Sequence, residues 1–223
     1  MIRVRVDDFP QTKGEPQHTL QAYREFHRCL SECIGGKRYL LGVIPGRCTV
    51  DDLLFLRNET DCVIGMHGTD HDEARLTRNS GNQFESYMTM DQIRQQLKEH
   101  HTALQEAVGR KVQVYMPPRN VIDGRTYSAL LDSPMTQITS GPETNPIMRR
   151  GTNRFIHSEP PYEYGRTDEL WKNGAVSKLS GKAEVGEDVV LTLHWTWETN
   201  IGLEHMRRFF GFFPPGYFMD FDA

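Results

Sequence analysis

The chain has 223 residues, of which 37% are hydrophobic and 25% charged, and its formal net charge is -4. That length favours one α/β domain with a sizeable core over two small ones, and the charge leaves no basic surplus to neutralise a phosphate backbone, so nucleic acid is not an expected partner. No stretch approaches the roughly 18 consecutive apolar residues of a membrane span. The opening MIRVRVDDF alternates apolar and charged residues and lacks the basic, apolar, small-residue order of an export signal. The four cysteines, Cys29, Cys33, Cys48 and Cys62, show no CxxC pair of the structural zinc type. Free thiols without an export signal make the reducing cytoplasm the expected compartment.

In chain order, Arg3 to Phe9 reads as a strand ending in acids, and Gln17 to Ile34 has apolar residues at helical spacing before Gly35-Gly36 stops it. Tyr39 to Ile44 is a predicted strand, Val50 to Leu56 a short helix capped by Thr49, and Asp61 to His67 a strand. Met90 to Val108 is the longest predicted helix. It is followed by a strand over Val112 to Met116, a helix near Arg125 to Leu131 and a strand near Thr136 to Thr139. Arg154 to His157 and Val189 to His194 bring the total to about seven strands. Gly141 to Gly151 and Pro160 to Gly165 are rich in Pro, Gly and Asn and read as long loops. The tail FFGFFPPGYFMDFDA reads either as a plug for one end of the domain or as an exposed patch. Alternating strands and helices imply parallel strands with right-handed crossovers, closed as a barrel or open as a doubly wound sheet.

Polar residues gather where these strands end: Asp7-Asp8 after the first, His67 and His71 after the third, Pro117 to Asn120 after the fourth, His194 at the last. In an α/β barrel, loops from the carboxyl ends of the strands converge on one face. Asp8, His67 and His71 would supply a carboxylate and two imidazoles, leaving coordination positions open for water and substrate. Read singly, each feature has a plainer meaning. The histidine pair fits a solvated loop, the adjacent acids fit turn or helix caps, and His194 within VVLTLHW fits a core histidine. Successive strand side chains face opposite ways, so both acids share a site only where the strand gives out. Phe9-Pro10 supplies such a break. Asp70 reads as a loop or outer group and not as a ligand.

Taken together, the ordered motifs VDD, HGTDH, YMPPRN and LTLHW resemble the polysaccharide deacetylases, the nodulation-type deacetylase homology domain also called carbohydrate esterase family four. The resemblance runs from Asp7 to His194. It implies a distorted (β/α)7-type barrel, one catalytic domain over residues 1–223 with the aromatic tail at 209–223. It implies Asp7 as general base, Asp8, His67 and His71 as ligands of a divalent metal, and His194 as the acid that protonates the departing amine. Zinc is the expected ion, with cobalt, nickel, iron or manganese compatible with the ligand set. Pro118, Arg119, Asn120 and Trp195 are expected to bind or orient substrate, a backbone N–H near Pro118 helping to hold the oxyanion.

Three departures accompany the resemblance. Gly68 stands where many relatives have Ser or Thr, as in a divergent HG...H branch. Tyr115-Met116 precede the prolines where an arginine usually orients the base, with Arg119 after them, and Asp168-Glu169-Leu170-Trp171 echoes the fourth motif. The implied reaction is metal-dependent removal of an N-acyl group, acetyl or formyl, from an amino sugar of a surface polysaccharide or its precursor. Two alternatives stand beside it: an amide hydrolase for a small non-sugar molecule, and a non-catalytic carbohydrate-binding protein. The presence of base, ligands and acid together argues against mere binding. Tyr162, Trp171, Trp195 and Trp197 would suit sugar stacking or the core.

Overall fold

The first strand, β1 (Ile2–Phe9), is buried along nearly all its length, as a strand covered on both faces must be. In the computed structural model, which describes residues 1–11, 19–79, 81–139, 156–158 and 162–221, it pairs in parallel with β2 (Leu40–Val43) and with β8 (Val189–His194). The sheet continues through β3 (Val63–Met66), β4 (Val114–Tyr115), β5 (Gln137–Thr139) and β6 (Ile156–Ser158), while β7 (Tyr162–Tyr164) lies beyond β8. The order is β6-β5-β4-β3-β2-β1-β8-β7 and every pairing is parallel. This is a barrel order opened between β6 and β7, which are not paired among the described residues. The fold is thus a single α/β domain of the distorted-barrel type.

Among the described residues eight strands replace the expected seven or so. The additional one, Tyr162–Tyr164, falls in the stretch read as a loop. Three residues beside prolines are too few to show a period. The expected loop from Gly141 to Gly151, together with Arg154, Phe155, Pro160 and Pro161, lies outside the described residues.

The helices form where local chemistry satisfies their ends. In α1 (Leu20–Cys33) the Thr19 hydroxyl accepts from Ala22 N–H. In α2 (Val50–Glu59) Thr49 and Asp52 cap reciprocally, and Thr89 and Gln92 do the same for α4 (Met90–Val108), which ends on left-handed Gly109. Between them lies α3 (Glu73–Arg78), and α5 (Gly124–Leu131) is capped by Asp123. Four helices that the sequence reading does not assign follow β7: α6 (Thr167–Lys172), α7 (Ala175–Glu184), α8 (Trp195–Ile201) and α9 (Leu203–Phe210).

The tail returns to the amino ends of the strands, opposite the expected site. Met219 N–H donates to Ile2 O at 3.1 Å and Phe221 N–H to Arg38 O at 2.8 Å. Phe209, Phe210, Phe213, Phe218 and Phe221 are buried. Each such side chain withdraws apolar area worth about 1.5–3 kcal/mol. Phe221 packs with Leu40, Val114 and Met116 in a small separate core. Room for Met116 comes from missing side chains: a Cβ at Gly42 would sit 2.6 Å from its Cε, and one at Gly65 2.7 Å from its Sδ. Met116 thereby fills the space beneath the third strand's carboxyl end.

Candidate active site

The two acids share a site because β1 breaks its own alternation. Asp8 has a left-handed backbone (φ 70°), and the β1 register against β2 slips between Val6 and Phe9. A bulge of this kind re-aims a side chain. Its strain costs on the order of 1 kcal/mol or more, and aspartate tolerates it better than most residues. Asp7, one residue earlier, stays in register opposite His194 on β8.

His67 follows β3 directly, and its N–H donates to Val43 O at 2.7 Å. Its Nδ1 lies 3.0 Å from Met116 O, and a carbonyl can only accept, so Nδ1 carries the proton and Nε2 presents its lone pair in the neutral ring. That Nε2 is 3.0 Å from Asp8 Oδ1, and His71 Nε2 is 3.5 Å from the same oxygen. Asp8, His67 and His71 are 6%, 2% and 4% exposed, and one ligand atom from each lies within 4.8 Å of the others. Asp8 Oδ1 accepts no hydrogen bond of normal geometry among the described residues. A buried carboxylate oxygen facing two imidazole nitrogens, one with its lone pair inward, fits a divalent cation.

His71 also has a left-handed backbone (φ 43°). Gly68, at φ 66°, answers for its own identity, since a Cβ there would collide with Gln83 Oε1 and stand 2.6 Å from Pro118 Cγ. Asp70 pairs with Arg75 and does not enter the cluster.

Asp7 is gripped by a residue the sequence reading passed over. Arg5 donates through Nε to Asp7 Oδ1 at 2.7 Å and through Nη2 to Oδ2 at 2.6 Å, with Arg5 only 1% exposed. The same guanidinium donates to Asn120 Oδ1 at 3.1 Å and to Thr139 O at 3.3 Å. Arg119 does not bind Asp7: its backbone is left-handed (φ 53°), and its Nη2 donates instead to Thr77 Oγ1 at 2.9 Å. The N–H groups of Asn120 and Val121 are bonded to the carbonyls of Pro117 and Pro118, so neither serves as an oxyanion donor. Pro118 is buried against Gly68. Trp195 is 1% exposed, packs edge-on to Tyr23, and donates from Nε1 to Asp8 O at 3.1 Å. It has no face left for a sugar and instead fixes the backbone that carries the carboxylate. His194 Nε2 is 3.5 Å from Asp8 Oδ2, and its ring stacks on Trp197 with centroids 3.9 Å apart.

Burial pushes both carboxyls up, and neighbouring cations outweigh it. The Arg5 guanidinium, with His67 and His194, holds Asp7 below the usual carboxylate range. The close approach of His67, followed by His194 and His71, likewise holds Asp8 below that range. Glu198 on α8 behaves oppositely: burial raises its carboxyl to about 7, although Thr167 donates to it from N at 2.9 Å and from Oγ1 at 2.5 Å. This contact anchors the start of α6 to α8.

Asp7, Asp8, His67, His71 and His194 stand at the carboxyl ends of parallel strands, defining an α/β-barrel protein with a carboxylate and two imidazoles at its mouth. Residues 49–138, which include His67, His71 and Pro118 to Asn120, match the family model Polysaccharide deacetylase. The fold is shared with a Mycobacterium smegmatis protein assigned to the polysaccharide deacetylases (16% identity, 94% of this chain and 82% of that one, TM-score 0.65). It is shared also with the family 4 carbohydrate esterase of Streptomyces lividans solved with acetate (13%, 98% and 90%, 0.56). A third is the Xyl-CE4 domain of a multidomain xylanase from the hindgut metagenome of Trinervitermes trinervoides (13%, 94% and 80%, 0.52). At such identities the likeness is one of fold. No curated protein sequence matches the chain. The chain thus carries a segment, residues 49–138, that matches the polysaccharide deacetylase model, within a fold shared with these solved structures.

Proposed function

We propose that this protein is a metal-dependent hydrolase that removes an N-acyl group, acetyl or formyl, from an amino sugar of a polysaccharide or its precursor. The observation that carries the reading is the convergence of Asp8, His67 and His71 on one buried point, with the Arg5-bound Asp7 beside it and His194 opposite Asp7 on β8. The family match supports carbohydrate deacylation as the reaction class. Zinc is the ion we put first for a site of two imidazoles and one carboxylate, and the metal-held domain spans residues 1–223 on this reading.

A bound divalent cation supplies Lewis acidity, polarising an acyl oxygen and making water more acidic. In the reaction proposed, Asp7 takes the proton of the attacking water, its carboxylate held in one orientation by the two bonds from Arg5. His194 donates a proton to the departing amine nitrogen, with Trp197 holding the ring plane. Asn120 orients Arg5, and Trp195 fixes the backbone of Asp8. Pro118 closes on Gly68 beneath the metal-ligand loop, and Arg119 stands at the exposed rim, where it meets substrate. Among the described residues no helix is long and apolar enough to cross a membrane, and the four cysteines are free thiols. The thiols support our placing the reaction in the cytoplasm. The test is acyl release over a panel of N-acylated sugars and small N-acyl amines. Release from the sugars supports the reading, release from the amines alone moves the substrate class, and no release with metal bound leaves a binding protein.

A further inference from the structure

The segment His67 to His71 carries two of the three candidate ligands, and beyond the His67 N–H bond to Val43 O the fold holds it at three points. The first is His67 Nδ1 on Met116 O, and the second is Gly46 N–H on Thr69 O at 2.7 Å. The third is a side chain far along the chain: Gln83 Oε1 accepts from Thr69 N–H at 3.1 Å and, at the same distance, from the Tyr115 hydroxyl. Gln83 is buried, so neither donor has water in reserve if the oxygen is withdrawn. The Thr69 N–H also fixes the amide's orientation, because only an oxygen can accept from it. Its Nε2 makes no hydrogen bond among the described residues, so the acceptor is the half of the amide that the packing uses. The backbone gives Gln83 its place: a Cβ at Gly68 would collide with this same oxygen.

We propose that Gln83 is a positioning residue for the metal-ligand loop, setting through Thr69 N–H the left-handed turn that brings His71 onto Asp8. His71 takes an unfavourable φ of 43° two residues after the clamped amide, and His71 Nε2 then stands 3.5 Å from Asp8 Oδ1. A loop released at Thr69 relaxes away from that conformation, and its ligand must be ordered again each time a cation binds. The consequence is a weaker metal site in a folded protein. This inference rests on the Asp8, His67 and His71 reading given above.

The experiment is Zn2+ affinity, by competition with a calibrated chelator, for wild type, Gln83→Leu, Gln83→Asn and Gln83→Glu, with melting temperatures taken in chelator and in excess Zn2+. Residues that orient ligands this way are typically worth 10–100-fold in metal affinity. Gln83→Leu, close in shape with no acceptor, and Gln83→Asn, too short to reach Thr69, should each weaken binding by that factor and shrink the melting rise that Zn2+ produces. Either variant suffices if the other does not fold. Gln83→Glu keeps an accepting oxygen and loses no bond at the former Nε2, so its affinity should stay within threefold of wild type or tighten. A purely structural Gln83 would lower both melting temperatures equally and leave the Zn2+ affinity within threefold, which overturns the proposal. So does a Gln83→Glu variant as weak as Gln83→Leu. A wild type that binds no Zn2+ brings down the site reading itself, whereas a binding wild type with unchanged variants refutes Gln83 alone.

Discussion

Replacing Arg5 by leucine gives the sharpest test of how the base is held. Arg5 and Asp7 are 1% and 4% exposed, and two bonds of 2.7 and 2.6 Å join them. Taking one partner from a buried pair strands the other charge and costs about 3–5 kcal/mol. The Asn120 side-chain oxygen and the Thr139 carbonyl lose a donor at the same time. Typical domain stability is about 5–15 kcal/mol, so Arg5→Leu should remain folded but unfold at a much lower urea concentration. The sign of the pH effect follows from the cause. With Arg5 present the Asp7 carboxyl lies below its ordinary range, so its contribution is full above that range and fades as pH falls through the lowered value. Without Arg5, burial dominates and the carboxyl rises, so the variant's deficit is greatest at neutral pH and shrinks as acid protonates Asp7. The assay is urea unfolding in chelator at pH 7 and pH 5 for wild type, Arg5→Leu, Asp7→Asn and the double variant. The double variant should be more stable than Arg5→Leu, because the stranded charge has gone. A loss below about 1 kcal/mol, or no recovery in the double variant, would refute the buried-pair account.

Three further outcomes follow from other parts of the structure. Glu198, raised to about 7 from an ordinary 4.5, gives stability that is full below about pH 4.5 and is lost as pH rises through about 7. The gap corresponds to about 3 kcal/mol, so Glu198→Gln should match wild type at pH 4.5 and exceed it by up to that amount at pH 8 in urea unfolding. Equal pH dependence of the two proteins would show that Glu198 ionises normally. Gly68→Ala must accommodate a Cβ 2.6 Å from Pro118 Cγ at a φ of 66°, and it should cost about 1–3 kcal/mol in thermal unfolding, while Gly186→Ala, also at positive φ but with open space around it, should cost less. Similar losses would mean that the contact with Pro118 and Gln83 is slack. His194→Ala should slow an amide substrate much more than an activated aryl ester, whose phenolate departs without a proton. An equal loss on both would reassign His194 to binding.

The strand-end acids and histidines were legible because a parallel α/β fold puts function at the carboxyl ends of its strands, and Asp7, Asp8, His67, His71 and His194 all sit there. Arg5 was not, since MIRVRVDDF shows only an alternation of apolar and charged residues in a strand that ends in acids. Its signal was a cation two residues before an acid, on one face of a strand that β2 and β8 flank within the sheet. Gln83 left no trace in sequence, since its role depends on where β4 and the loop after β3 meet. Trp195 suits either sugar stacking or the core from sequence alone, and α8, which begins at that residue, turns the indole into the core. The helix α9 did carry a signal: Leu203, Met206, Phe209 and Phe210 recur at helical spacing, from a stretch the sequence reading leaves unassigned into the aromatic tail.

The central claim is that a metal held by Asp8, His67 and His71 and a base at Asp7 together cleave an N-acyl bond. The most direct test compares acyl release from N-acetylated sugar oligomers by wild type and Asp7→Asn, each loaded to the same measured Zn2+ content. General base catalysis is worth typically 10²–10⁴-fold, so Asp7→Asn should keep its metal and lose at least about a hundredfold in kcat. Near-normal kcat in Asp7→Asn at equal Zn2+ content would contradict the account.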